Sequence, residues 1–463
     1  MRNPELQRNL WLELTRPRMI GASVVIVFLF LAFSGNQDVG SVVGGSLMTV
    51  ILILVVFFWG SWMAAGSVVG EIRDRTWDAQ RLSAIGPWTM VFGKLFGATS
   101  FAWFIGALVI AILLINPAVG SDPLRYFSLI LTYIFTGIFA HATALLVSLL
   151  SIRKSLEGQG RLNTAFFAVA GIAAAMTVLG LSTDAIDGDG LFTAAFYGVP
   201  MPSQIFILGS LIIFAGWTIL ANNRLMRLEL QMQNGPWVFL AFVLFVGLYA
   251  GGAAFVGAAP GEPVPSDLRL LAASIALGGL AYASMFFDVK DASVLRRLDG
   301  ALRSGSPLAI LNATPGWLYA YFAAVGALLA WTQVFTPGDL AQELASWVDL
   351  PVSILAYGAG AALLFLTRDL LIFLYFNMTG ERRRGDFAAV VTILLLYTAG
   401  SVLLGAGGGA RLLYWAIPAP ADPVWMMLVA PGVQCLVMGV LVGSRYRAAS
   451  LSALDRSAKA AGG

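Results

Sequence analysis

Charged residues are scarce in this chain, and one stretch gathers several of those able to do chemistry. Between two apolar runs, Glu71 to Leu95 reads EIRDRTWDAQRLSAIGPWTMVFGKL. Glu71, Arg73, Asp74, Thr76, Asp78 and Lys94 offer ion pairs and hydrogen bonds, and Trp88 offers aromatic surface. Such a set suits docking to another protein. A second charged stretch carries Asp288, Lys290, Asp291, Arg296 and Arg297. Three further polar groups, His141, Arg368 and Asp369, lie inside apolar runs. A charge there costs about 2.5–3.5 kcal/mol on insertion, so such residues face a cavity or a partner, and all three are translocation-path candidates. Neighbours on a helix point about 100° apart, so Arg368 and Asp369 are expected to meet groups on other helices rather than each other.

Enzymatic chemistry finds no support in the pattern. No cluster of His, Cys and carboxylates has metal-ligand spacing, and no nucleophile stands beside a base. Gly86 and Gly93-Lys94 imitate a nucleotide-binding loop, but Leu95 follows Lys94 where Ser or Thr is needed. No catalytic, cofactor or metal residue is expected in this chain.

The elements that carry these groups follow from composition. Of 463 residues, 59% are hydrophobic and 11% charged, and mean hydropathy is +0.82. Soluble domains are about a quarter charged, so an integral membrane protein is expected. The only cysteine, Cys435, excludes a disulfide within the chain. The net charge of +3 sits in short loops and does not suggest nucleic-acid binding. A span needs roughly 20 apolar residues, and twelve are expected. They lie near 19–34, 42–69, 95–116, 126–151, 164–181, 204–221, 236–258, 269–287, 316–335, 351–376, 387–406 and 424–443. With both termini cytoplasmic, only Arg125, Arg269 and Arg411 of the 28 basic residues fall outside and Arg368 falls within a span. The positive-inside rule favours that orientation.

Three landmarks recur at nearly constant offset. Arg8 to Pro17 pairs with Arg227 to Pro236 at 219, and Glu71-Ile-Arg73-Asp74 pairs with Asp288-Val-Lys290-Asp291 at 217. Tyr197-Gly-Val-Pro200-Met-Pro202 pairs with Trp415-Ala-Ile-Pro418-Ala-Pro420 at 218. The expected fold is therefore all-α and polytopic, with two parallel six-span halves, residues 1–223 and 224–463.

The segment from Glu71 also resembles the cytoplasmic loop of ABC exporter permeases of the type 2 class. Their pattern runs roughly E-R-E-x-G-T-L-E, four apolar residues, then T-P-L-S-P-W-x-x-x-x-G-K-L. Aligned without a gap, this chain supplies Glu71, Thr76, Asp78, Pro87, Trp88, Gly93, Lys94 and Leu95. It departs at Arg75, where the family usually has Gly, at Ala84, where Pro is common, and in a less apolar middle. The resemblance covers the first half well and the second weakly. It implies that 71–94 and 288–315 couple to two cytoplasmic ABC ATPase subunits, which would bind ATP and Mg. It also implies an inner-membrane exporter permease with an amphipathic N-terminal helix at the bilayer surface, and short re-entrant helices near Gly190–Ser203 and Ala410–Asp422. Leu6, Leu10 and Leu14 share one face of that N-terminal helix, with Glu5 and Arg8 elsewhere. The alternative is a proton-coupled secondary transporter of the major facilitator type. Its loop G-x-x-x-D-R-x-G-R-R is matched at Gly70, Asp74 and Arg75 only.

Overall fold

The computed structural model describes residues 3–34, 42–83, 85–115, 123–156, 164–187, 193–253, 266–334, 353–378, 385–408, 413–419 and 421–461. Arg2, Arg161, Arg382, Arg383 and Arg384, which that orientation makes cytoplasmic, lie outside that set, as do Arg411, Ala84 and parts of both expected re-entrant segments. The chain is an all-α polytopic membrane protein. Among the described residues, nine helices are long and apolar enough to cross a bilayer. A bent pair, Pro87–Gly97 with Ser100–Leu113 at 51°, makes a tenth if counted as one span. Phe167–Leu179 and Trp237–Ala253 are apolar but shorter.

Two compact units divide the chain: 1–194 with 200–234, and 195–199 with 235–463. The first unit opens with α1 (Pro4–Glu13) and α2 (Arg16–Ser34). Then α3 (Val42–Leu52), a π-helical turn (Ile53–Trp59) and α4 (Gly60–Arg73) form one continuous rod. The polar segment holds α5 (Trp77–Arg81), α6 (Pro87–Phe92) and a second π-helical turn (Gly93–Gly97) that leads into α7 (Ser100–Leu113). The long α8 (Pro123–Leu156), α9 (Thr164–Asp187) and α10 (Ser203–Glu229) complete the unit. Alanines let α4, α8 and α9 approach closely: Ala64, Ala65, Ala144 and Ala168 pack around Val69 and Phe167. By contrast α2 leaves Val24, Phe28 and Leu31 exposed, as a helix facing lipid tails does.

Where a re-entrant helix was expected before α10, the described residues form a hairpin instead, β1 (Thr193–Phe196) and β2 (Val199–Pro202). Tyr197 and Gly198 both have positive φ, 51° and 79°, which is the two-residue hairpin turn that matches strand twist. Pro200 and Pro202 lack the amide hydrogens a helix would need.

The second unit holds α11 (Trp237–Ala253), α12 (Ser266–Phe287), α13 (Ala292–Ser304), α14 (Pro307–Ala313), α15 (Gly316–Val334), α16 (Ser353–Asn377), α17 (Gly385–Gly408) and α18 (Met426–Ala461). Its largest core joins Met285, Trp317, Leu366, Leu370, Phe373 and Val442. The landmark pairs differ in local structure. Residues 8–13 are helical while 230–236 are not, and Tyr197 turns a hairpin while Trp415 ends a single helical turn.

Candidate functional site

Glu71 lies in the last turn of α4, which ends in a tight left-handed turn. Thr76 N donates to Glu71 O at 2.9 Å, and Arg75 N to Ile72 O at 3.1 Å. Arg75 itself has φ 59°. This Schellman closure favours glycine at the left-handed position. Arg75 therefore occupies, with strain, the place where the resembling permeases have Gly. The turn reverses the chain so that α5 folds back beside Glu71.

Lys94 then enters from the opposite side. Pro87 starts α6 at its first position, preceded by the extended Gly86 (φ −71°, ψ 155°), so the helix leading to Lys94 begins where proline is tolerated. Lys94 is 1% exposed, Glu5 3% and Glu71 13%. Its Nζ binds Glu71 Oε2, lies 3.2 Å from Gln80 Oε1 and 3.5 Å from Glu5 Oε1. It also sits 5.4 Å from the centre of the Trp77 ring. Arg8 Nη2 donates to Glu5 Oε1 at 3.0 Å and to Glu71 Oε1 at 2.8 Å, and Gln80 Nε2 donates to Glu71 Oε1 at 2.6 Å. Two carboxylates thus face two cations, and Glu71 is shared by donors from three separate elements.

Glu5 reaches this cluster because α1 lies on the turn Gly93-Lys-Leu-Phe-Gly97. A Cβ at Gly93 would overlap the Glu5 side chain, and one at Gly97 would come within 2.8 Å of Asn9 Cβ. This is the small-xxx-small seat by which helices approach closely. Asn9 Nδ2 donates to Gly93 O at 3.1 Å. Asn3 caps α1 by accepting from Leu6 N at 3.0 Å, and its amide donates to Thr89 O at 2.9 Å. The inward side of α1 is mixed. Glu5 is buried against Lys94 and Asn9 donates to the Gly93 carbonyl, while Leu6, Leu10 and Leu14 are half-buried and Leu14 packs on the core around Phe57 and Phe101. Trp11 and Leu12 are the residues left outward.

The remaining residues of the segment split into two groups. Arg73, Asp74, Thr76 and Asp78 are exposed, and Asp78 and Leu82 are 87% and 89% exposed. Trp77 and Gly93 are buried. Trp88 heads a stacked ladder with Phe92 and Phe96, centroids 5.7 and 5.9 Å apart.

In the second unit, Asp288 Oδ2 accepts from Trp317 N at 3.2 Å and so caps α15. Lys290 is buried like Lys94, 2.9 Å from Asp386 Oδ1 and donating to Met285 O at 2.8 Å. Asp291 caps α13 through Ser293 N and Val294 N at 3.0 and 3.1 Å. On α13, Arg297 is exposed and Arg296 half-buried. Gly305 closes that helix at φ 67°.

Arg368 and Asp369 are both buried on α16, and here the expectation fails. They pair with each other: Arg368 Nε donates to Asp369 Oδ1 at 2.8 Å. The 100° between neighbours holds at Cβ, but the long arginine side chain swings its guanidinium back across that angle. The Phe365 and Tyr397 rings hold the guanidinium there, 4.6 and 4.8 Å from its carbon. Partners on other helices exist as well. Asp369 Oδ2 accepts from Tyr282 and Tyr397 hydroxyls at 2.5 and 2.9 Å. Arg368 Nη1 donates to Gln434 Oε1 at 2.8 Å, and Gln434 Nε2 to Trp415 O at 2.7 Å. Four helices and the 413–416 turn are tied through the Arg368–Asp369 pair. Cys435 is a free thiol beside this network, 3.0 Å from Leu364 O.

His141 stands apart on α8, with Nε2 2.7 Å from the Val56 carbonyl oxygen. The sequence pattern singled out Glu71, Lys94, Arg368 and Asp369. It missed Glu5, Gln80, Tyr282, Tyr397 and Gln434, whose types do not distinguish them from surface or span residues. One usable signal was the Gly93/Gly97 spacing. Comparison of the chain with family models, curated proteins and solved structures found no match.

Proposed function

We propose that this chain is the transmembrane permease subunit of an ATP-driven exporter, in which separate ABC ATPase subunits act on its polar segments. In this reading it has twelve spans in two parallel six-helix repeats, with both termini on the cytoplasmic side of the inner membrane. The observation that carries the reading is the build of residues 71–95. Its tip, with Asp78 and Leu82, is exposed, while its base is anchored by buried ion pairs from Lys94 to Glu71 and Glu5. A partner pulling on such a tip moves α4, α1 and α7 together, because a satisfied buried ion network resists bending. The left-handed Arg75 at the family's glycine position supports the same reading. In the second unit α13 and α14, with caps at Asp291 and Ser306, form the unequal counterpart. The division of labour differs from a flat docking motif. Arg73, Asp74, Thr76, Asp78 and Arg297 are available to a partner, while Glu71, Lys94 and Lys290 act by holding the element in place.

Co-purification of the full chain with an ATPase encoded beside it tests the proposal, together with ATP hydrolysis stimulated by the complex. Asp78→Arg with Leu82→Asp is expected to weaken that association while leaving the melting of the permease unchanged. Substrate movement by the purified chain alone, driven by a proton gradient without ATP, would sink it.

A further inference from the structure

His141 is fully buried within the first unit. Its Nε2 faces the Val56 carbonyl, and a carbonyl only accepts, so Nε2 carries the ring hydrogen. Val56 belongs to the π-helical turn Ile53–Trp59, a geometry that interrupts the regular helix ladder and recurs at functional sites. The neutral ring then presents Nδ1 as an acceptor, and that atom has no partner among the described residues. Trp103 on α7 packs against the same ring, centroids 5.3 Å apart at 67°. Its Nε1 is a buried donor, likewise without a partner among the described residues. Both rings are seated by glycine. A Cβ at Gly60 would overlap the imidazole, and one at Gly137 would lie 2.8 Å from the indole.

An orphaned buried donor or acceptor costs about 1–3 kcal/mol, and bulk water does not reach the hydrocarbon region to relieve it. Here one orphan is a donor, the other an acceptor, and they sit on touching rings. We infer that the His141–Trp103 pair is a binding site for one hydroxyl group, either a water molecule or the hydroxyl of a bound organic compound. The oxygen accepts from Trp103 Nε1 and the hydroxyl hydrogen is donated to His141 Nδ1. The site is independent of what drives transport, so it stands or falls separately from the ATPase reading.

The chain contains one histidine, so 15N-histidine labelling of the full-length protein in lipid nanodiscs gives one pair of ring resonances. The expected spectrum shows the Nε2-protonated tautomer, with the Nδ1 resonance displaced as for an accepted hydrogen bond. Magnetisation transfer from water to that nitrogen identifies water as the ligand. A displaced resonance without such transfer identifies a bound hydroxyl compound. An Nδ1 resonance at the position of a free acceptor overturns the inference, and so does an Nδ1-protonated ring. Trp103→Phe keeps a ring against His141 but removes the donor, and should return Nδ1 toward the free position. An unchanged Nδ1 resonance in that variant refutes the bridge.

Discussion

Replacing Lys94 by methionine keeps its length and apolar stem but removes the ammonium from between Glu5 and Glu71. Both carboxylates remain buried. Breaking a buried ion pair by deleting one partner costs about 3–5 kcal/mol, because the other charge is left uncompensated. Two features favour the lower end here. Arg8 still touches both carboxylates at 3.0 and 2.8 Å, although it is 47% exposed. Gln80 still donates to Glu71 at 2.6 Å. About 3 kcal/mol is therefore expected. For a unit of this size each kcal/mol moves the melting midpoint by about 2–3 °C, so the first unit should melt about 6–9 °C lower. The assay is tryptophan-fluorescence melting in nanodiscs. Hydrogen exchange over residues 3–14 would run beside it, because α1 should open before the spans. Adding Glu71→Gln to Lys94→Met removes the uncompensated charge and should recover about 1–2 kcal/mol of the loss. The reasoning is refuted if Lys94→Met melts with the parent and exchange over α1 is unchanged. It is also refuted if the second substitution makes matters worse by its full independent cost.

Two further outcomes follow from the same kind of accounting. Arg75→Gly relieves a left-handed non-glycine residue worth about 1–2 kcal/mol against an entropy cost of about 0.5–1 kcal/mol. The variant should be more stable by about 0.5–1 kcal/mol, and any loss of stability in the same melt would argue against strain at the end of α4. Asp369→Asn leaves the Arg368 guanidinium buried without a counter-charge, at a cost of about 3–5 kcal/mol. Because Cys435 is the single thiol and lies beside that network, maleimide labelling reads the loosening directly. Labelling of the variant at the parent's rate would contradict it.

Composition and apolar runs were enough to read a helical membrane protein, since lipid forces every backbone group into helices or closed barrels. The start of α6 at Pro87 is a local feature of the same kind, because proline restricts the chain around it. Lys94 shows where legibility stops. Its identity and spacing marked it, but its burial depends on Glu5, 89 positions earlier, and no local pattern records such a partner. For Arg368 and Asp369, helix geometry gave the wrong answer. Side-chain reach and two aromatic rings from different parts of the chain decided the contact. The 193–202 hairpin was missed because Ala194, Ala195, Pro200 and Pro202 are poor strand formers, and the resemblance had already supplied a helix there.

The seat of α1 has a consequence for how the chain is made. Helix α1 leaves the ribosome before its seat does, because the Gly93–Gly97 groove and Lys94 follow about ninety residues later. At ribosomal rates of about 5–20 residues per second, that is a wait of several seconds. Throughout it Glu5, Arg8 and Asn9 have only one another as partners, while α2 and the rod from α3 to α4 enter the bilayer. Trp11 and Leu12 offer α1 a foothold in the headgroup layer during this interval. Helix α1 is thus parked before it is clamped, and the entry of the α6–α7 segment is the event that locks it. A bulky group attached to α1 would burden the parking step long before it touched the finished molecule.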